Sequence, residues 1–261
     1  MDIECASDYF NSVIAEFDFF DINVWWDPTA DGQHRRLCDF AQMERELKNF
    51  NISKAIISNR NCLKYDPVAA NEELAVYIKS VPNLFGCMIL VPEIESIEAY
   101  IDNKVGERFI CARLFPKTLH HSMKKWCIDG VLSHLERRNI PLILWHTEVE
   151  WDTYEALTVE YPELPLIIDG CETKLLYHNR NYTPLLLDYR NIYMETHNIV
   201  LAGELDCLSS IVGDKLIYGS YYSYNTPNAS MYPIVAGQMP YSTKRLISSG
   251  TLTKLISNII Q

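Results

Sequence analysis

Eight short runs rich in β-branched and aromatic residues alternate along the chain with longer amphipathic, charge-bearing stretches. The strand-like runs are Phe17–Trp26, Lys54–Ser58, Phe85–Val91, Phe109–Phe115, Leu142–His146, Leu166–Asp169, Ile192–Thr196 and Leu216–Tyr222. Helix-like stretches lie between them, at Asp39–Asn49, Pro67–Val81, Ile94–Asn103, Ser122–Arg138, Trp151–Tyr161, Glu172–Tyr189 and Val200–Val212. Two more, Ser230–Ala236 and Thr243–Ile260, close the chain. Strand, helix, strand in succession implies parallel pairing and βαβ units. Eight such units in 261 residues predict an α/β fold, a single (β/α)8 TIM barrel. The rival, a doubly wound open sheet, carries a Gly-rich phosphate turn after its first strand; neither GxGxxG nor GxxxxGK[ST] occurs here.

No Pro/Gly/Ser-rich linker divides the chain, so residues 1–261 read as one domain, with 1–16 an extension before the first strand. That extension is expected to form a short helix across the barrel bottom or a partner contact. With 23 Lys and Arg against 34 Asp and Glu, the net charge is −11. An acidic chain lacks the electrostatic footprint of a nucleic-acid binder and is poorly suited to anionic membranes. Small molecules, metals or other proteins remain as partners. The eight cysteines form no CxxC pair. Cys87 in FGCMIL and Cys111 in FICARLF read as small buried hydrophobes of a reducing compartment. The N-terminus MDIECASDYF has neither a basic start nor an apolar core, and no apolar run approaches the ~20 residues of a membrane span, so the cytoplasm is the expected location.

In such a barrel, chemistry sits at the C-terminal ends of the strands. The polar and aromatic residues there are Asn23, Trp25, Trp26 and Asp27; Ser58 and Asn59; Arg113; His146 and Glu148; Asp169; Glu195, Thr196 and His197; and Ser220 to Tyr222.

Several of these segments, in order, resemble the amidohydrolase-related family of metal-dependent hydrolases and decarboxylases. FDINVWW ends the first strand, where that family has Asp-x-His-x-His. VPNLFGCMILVP fits its third strand. ILWHTEVEWDTYEALTVEYPELPLIID is similar to its fifth-strand histidine, the following helix and the lead into the sixth strand. NIYMET resembles the seventh strand, KLIYGSYYS the eighth, and MPYSTKRLISSGTLTKLI the closing helix pair. The resemblance spans nearly the whole chain and implies an amidohydrolase-like barrel.

It also implies where a metal centre would lie, and there the chain departs. Asn23 and Trp25 stand where the family has its two first-strand histidines, Asp169 replaces the sixth-strand histidine, and Tyr221 replaces the water-activating aspartate. Only Asp21 and His146 match. A catalytic zinc needs about three protein ligands plus an open position. Indole offers an N–H donor and no lone pair, and a phenol titrating near ~10 is a poor base at neutral pH. His146 and Asp169 remain as ligands, with His197 a possible third for one divalent metal, zinc, iron or manganese. Alternatively His197 caps the helix near Val200, and Glu148 and Glu195 face solvent. Arg113, in RLFP, either clamps a carboxylate or phosphate in the mouth or forms a structural ion pair with Asp169 or Asp21.

Trp25, Trp26, Trp145, Tyr221, Tyr222 and Tyr224 suit a pocket, a plug or an interface. His120, His121, His34, His178 and His134 read as solvated or packing residues, and Cys171 as an inert thiol.

The expectation is a diverged family member that has lost standard metal-dependent hydrolysis and needs no cofactor. Its mouth would bind a small acidic or carbonyl ligand through Asn23, Trp25, Arg113, His146 and Tyr221. It would act either as a metal-free enzyme using Asp169, Tyr221 and Arg113, or as a non-catalytic partner of an intact paralogue. The alternatives are an active metal-dependent hydrolase or decarboxylase remodelled around His146 and Asp169, and a structural or regulatory subunit docking through its aromatic rim. A homo-oligomer is implied by the resemblance alone. A metal bound at His146 and Asp169 favours the remodelled hydrolase; a dry mouth plugged by aromatics favours the structural or regulatory subunit; an open, metal-free pocket with Arg113 pointing inward favours the diverged member, whether metal-free enzyme or paralogue partner.

Overall fold

The computed structural model describes residues 3–29, 39–170 and 175–259. The elements run α1 (Ile3–Ile14), β1 (Phe19–Trp26), α2 (Phe40–Asn49), β2 (Ile52–Asn59), α3 (Pro67–Ile78), β3 (Leu84–Ile89), α4 (Ile97–Gly106), β4 (Phe109–Arg113), α5 (Lys125–Arg137), β5 (Leu142–Trp145), α6 (Trp151–Glu160), β6 (Leu166–Asp169), α7 (Asn179–Asp188), β7 (Ile192–Glu195), α8 (Ala202–Val212), β8 (Leu216–Ile217), α9 (Pro227–Ala236), α10 (Tyr241–Arg245) and α11 (Thr251–Ile256). The strands pair in parallel in the order β1 to β8. The eighth segment meets the first through Ile22 N–H donating to Tyr218 O at 3.2 Å and a parallel bridge between Val24 and Tyr222. This is the (β/α)8 barrel that the alternation predicts.

Local signals start several helices. The Asp39 carboxylate accepts from Ala41 N at the head of α2, and Asp66 accepts from Val68 N ahead of Pro67 in α3. Such caps satisfy amides that the first turn leaves unpaired. The helix expected over Glu172–Tyr189 resolves into a 3-10 turn at Leu175–His178 followed by α7; its first residues, with Cys171, and the loop bearing His34 lie outside the described residues. The closing helix is α10 and α11 joined by a π turn at Leu246–Gly250.

Period-two alternation divides the strands between two faces, interrupted by register shifts in the β1–β2 and β3–β4 pairings. Outward residues such as Val24, Ala112, Leu144, Ile168 and Met194 join the apolar layer beneath the helices. Inward residues fill the lower barrel with Phe20, Ile56, Phe85, Cys87, Ile110, Ile143, Ile167 and Ile217. Cys87 and Cys111 are free and fully buried. Leu252 and Ile256 of α11 close this layer from below. The floor expected from the N-terminal extension is therefore supplied by the C-terminal helix. Segment α1 instead packs beside α9, with Phe10 6.2 Å from Tyr232, and Asn51 Nδ2 donates to the carbonyls of Ile14 and Phe17. No described helix is long and apolar enough to cross a membrane.

Candidate functional site

One layer above the apolar filling, the inward positions turn polar. β1 contributes Asn23 and Trp25, β4 Arg113, β5 Trp145, β6 Asp169 and β7 Glu195. The barrel order brings residues up to 172 positions apart into one hydrogen-bonded cluster.

Asp169 is its hub. Its Oδ2 accepts from Arg113 Nη1 at 2.7 Å, Asn23 Nδ2 at 3.1 Å and Trp145 Nε1 at 3.2 Å. Asn23 Oδ1 accepts in turn from Arg113 Nη2 at 2.9 Å and Trp25 Nε1 at 3.0 Å. Those two donors fix the amide orientation, so the Asn23 NH2 faces the carboxylates of Asp169 and Glu195, the latter at 3.4 Å. Glu195 also accepts from His197, through the backbone N–H at 2.8 Å and the ring Nδ1. A Cβ on Gly219 would collide with the Glu195 carboxylate, so this close approach requires glycine there.

Arg113, Asp169 and Glu195 are fully buried. Burial opposes the Arg113 charge, but Asp169, Cys87 and Glu195 outweigh it and hold the guanidinium above its usual pKa. Beneath them, Asp21 Oδ1 accepts from Asn23 N at 2.9 Å and Ser220 N at 3.0 Å. Desolvation pushes the Asp21 carboxyl up to about 6 despite these bonds.

Aromatic side chains roof the cluster. Trp25 and Trp145 stand 5.5 Å apart, and Phe115 packs edge-on against Trp145 at 4.8 Å. Tyr221 lies stacked between His197 and Tyr224, each 4.9 Å away. Its φ of 55° is a left-handed conformation that non-glycine residues adopt only under local constraint. The Arg113 guanidinium sits 5.0 Å under the Trp25 ring, and the Arg60 guanidinium covers the same ring at 5.3 Å. Trp25 and Tyr221 are buried and Trp145 nearly so, so the mouth is filled by aromatic rings.

The structure thus brings together Asn23, Trp25, Arg113, Asp169, His197 and Tyr221. Arg113 pairs with Asp169, the ion-pair option of the two the sequence leaves open. His146 lies beside Asp169 at the backbone, its N–H donating to Asp169 O at 3.0 Å, and outside the cluster of side-chain bonds. Trp145 takes the inward position of β5, and His146 stacks on Trp151 at 5.8 Å and approaches His178 at 5.1 Å. Its Nδ1 has no hydrogen-bond partner among the described residues, and burial pushes its pKa down. His197 is buried and bonds through its ring Nδ1 to Glu195, and the N-cap of α8 is Leu201. Glu195 and Glu148 do not face solvent. Glu148 is buried, and its carboxylate accepts from Lys117 N, Thr118 N and Thr118 Oγ1. His120 is exposed, and His134 pairs with Asp102 at 2.9 Å on the helical shell. Glu195 and Arg60 are the residues of the mouth that sequence reasoning undervalues. Both immediately end or follow a strand, which is the signal that marks them.

Among the described residues, one group has metal-ligand composition: Asp169, Glu195 and His197 offer one ligand atom each, all within 4.8 Å of one another. Two carboxylates and an imidazole suit a divalent cation in number and type. The surroundings do not. An amide NH2 points between the two carboxylates, a guanidinium holds Asp169, and the His197 ring is bonded to Glu195. These are donors aimed where a cation would bridge. In this arrangement the cation against the donor set is the protein's own Arg113, paired with Asp169 at 2.7 Å.

No protein-family model and no curated protein matches the chain. Solved structures do. The 5-carboxyvanillate decarboxylase of Sphingomonas paucimobilis superposes with TM-score 0.70 at 10% identity, covering 92% of this chain and 99% of that one. A dihydroxybenzoic acid decarboxylase from Polaromonas, with bound manganese and the inhibitor 2-nitroresorcinol, gives 0.68 at 13% identity over 92% and 97%. A candidate amidohydrolase from Staphylococcus aureus gives 0.68 at 14% over 92% and 100%. At these identities the likeness shows the fold, an amidohydrolase-like (β/α)8 barrel.

Proposed function

We propose that this barrel has given up metal-assisted hydrolysis at its mouth and works through binding, as a non-catalytic partner of a catalytically intact paralogue. The observation that carries this reading is the convergence of three N–H donors, from Arg113, Asn23 and Trp145, on Asp169 Oδ2. The guanidinium supplies the positive charge that a metal supplies elsewhere, and it is spent on a buried ion pair. A metal-free enzyme acting on a small acid or carbonyl compound, with Asp169, Tyr221 and Arg113 as its catalytic groups, is less well supported. Arg113 would have to release Asp169, and Tyr221 would have to leave its stack.

Calorimetric titration with manganese and zinc tests the proposal. Wild-type protein binds neither in the micromolar range. The double variant Asn23→His/Trp25→His restores two imidazole donors, removes the amide from between the carboxylates and gains binding. One equivalent bound by wild type and lost in His197→Ala would overturn the reading. The convergence of Asp169, Glu195 and His197 favours the runner-up, a metal-dependent hydrolase or decarboxylase, and that same outcome would establish it.

A further inference from the structure

At the end of the barrel opposite the mouth, the segments that lead into β5, β6 and β7 meet α11 around a cavity of about 280 Å³. Pro162, Pro165 and Leu255 make part of its wall apolar. The rest is polar. Among the described residues, the Lys254 ammonium makes no ion pair or hydrogen bond, and neither the Asn139 side-chain amide nor the Tyr193 hydroxyl has a hydrogen-bond partner. Burial, with the Asp214 carboxylate, pushes the Tyr193 pKa up, so the phenol stays a donor. The Glu163 carboxylate, by contrast, is paired with Arg190, and the Asn191 NH2 is spent on the carbonyls of Tyr161 and Leu164. The groups left open to a ligand can all donate, and one of them carries an unpaired positive charge.

Thr251 adds a buried hydroxyl. The residue is 4% exposed and lines the same cavity, and its Oγ1 has no hydrogen-bond partner among the described residues. A helical threonine can return its hydroxyl to a carbonyl three or four residues back. Here the π turn at Leu246–Gly250 comes immediately before it, and Ile247 O accepts from Tyr218 N at 2.9 Å instead. A buried hydroxyl without an acceptor is uncommon in folded proteins. The two rotamers open to threonine in a helix let this one turn to the cavity wall. Lys254 stands three residues on, on the same face of α11.

We propose that this cavity is a binding site for a small oxyanion, a carboxylate or phosphate group, held by the Lys254 ammonium and the Asn139, Tyr193 and Thr251 donors. Hydrogen bonds between ionised partners are the stronger kind, and the neutral donors fix the orientation of the oxygens. The ligand is bound and not converted, because the length of β6 and β7, about 10 Å, separates it from Asp169 and Glu195. Its occupant ties α11, which closes the barrel floor, to the segments entering those two strands. The inference does not depend on what the mouth binds.

The test titrates inorganic phosphate, succinate and, as a cation control, tetramethylammonium into wild type, Lys254→Gln and Thr251→Val. Calorimetry and amide resonances provide the readout, at constant ionic strength. Wild type should bind one equivalent of phosphate or succinate, and either variant should bind it about tenfold or more weaker. Lys254 is exposed, so Lys254→Gln leaves the fold intact. In wild type, the anion should shift the amide signals of residues 190–193 and 251–255 and leave the indole signals of Trp25 and Trp145 unmoved, a readout that needs no variant. Tighter binding of phosphate supports the phosphate form of the proposal, and tighter binding of succinate the carboxylate form. No anion binding by wild type, or equal affinity in wild type and Lys254→Gln, would overturn the proposal. Anion binding that survives Lys254→Gln and is lost in Arg60→Ala would overturn it in favour of a site at the mouth.

Discussion

The lower barrel and the barrel mouth are built from the same strands, one turn of the pleat apart, and are stabilised by opposite means. Below, Ile143 and Ile167 face inward among Phe20, Ile56 and Ile217. Burial there is non-directional, and any side chain of the right volume contributes. Above, two residues further along β6, Asp169 meets three N–H donors at 2.7 to 3.2 Å. Burial there costs free energy unless every partner is in place. The lower layer should tolerate trimming, and the upper layer should not tolerate the loss of one partner.

Breaking the mouth gives the largest effect. Arg113→Met leaves Asp169 buried without its cation and should cost about 3–5 kcal/mol in chemical denaturation. A loss near that of a surface substitution would show that water reaches the cluster freely.

Asp21 sharpens the contrast through pH. Its carboxyl ionises at about 6 in the folded protein against 3.8 for an ordinary aspartate. The folded state therefore holds the proton more tightly than the unfolded chain does. Stability falls as pH rises from 3.8 to about 6 and is flat above, a decline of about 3 kcal/mol. Asp21→Asn keeps an acceptor for Asn23 N and Ser220 N and should remove that slope. An unchanged slope would assign it to another group.

The smallest effect belongs to the lower layer. Ile167→Val deletes one methylene in the apolar filling and should cost about 1 kcal/mol with no change in pH dependence. A cost matching that of Arg113→Met would erase the distinction between the layers.

The fold was legible because alternation of strand and helix is a long-range pattern carried by many residues. Its edges were less so. The eighth strand is only Leu216–Ile217, because Ser220 turns its N–H to Asp21 and Tyr222 bridges to Val24. Site membership hung on parity. His146 and Trp145 are adjacent, and a step of one residue moves a side chain to the opposite face. The indole, not the imidazole, reaches the Asp169 carboxylate. Glu195 and His197 were visible as strand-end residues, but their convergence with Asp169 depends on where β6 and β7 come to lie around the barrel. For Arg113 the sequence leaves a ligand clamp and an ion pair with Asp169 or Asp21 equally open; the 2.7 Å contact with Asp169 depends on where β4 and β6 come to lie around the barrel.

Elemental metal analysis of the purified protein, beside His197→Ala, tests the central claim most directly. The account predicts no stoichiometric zinc, iron or manganese in wild type even after incubation with excess ions, and no difference in the variant. About one equivalent in wild type that disappears in His197→Ala would contradict it, and would make Asp169, Glu195 and His197 a working metal centre.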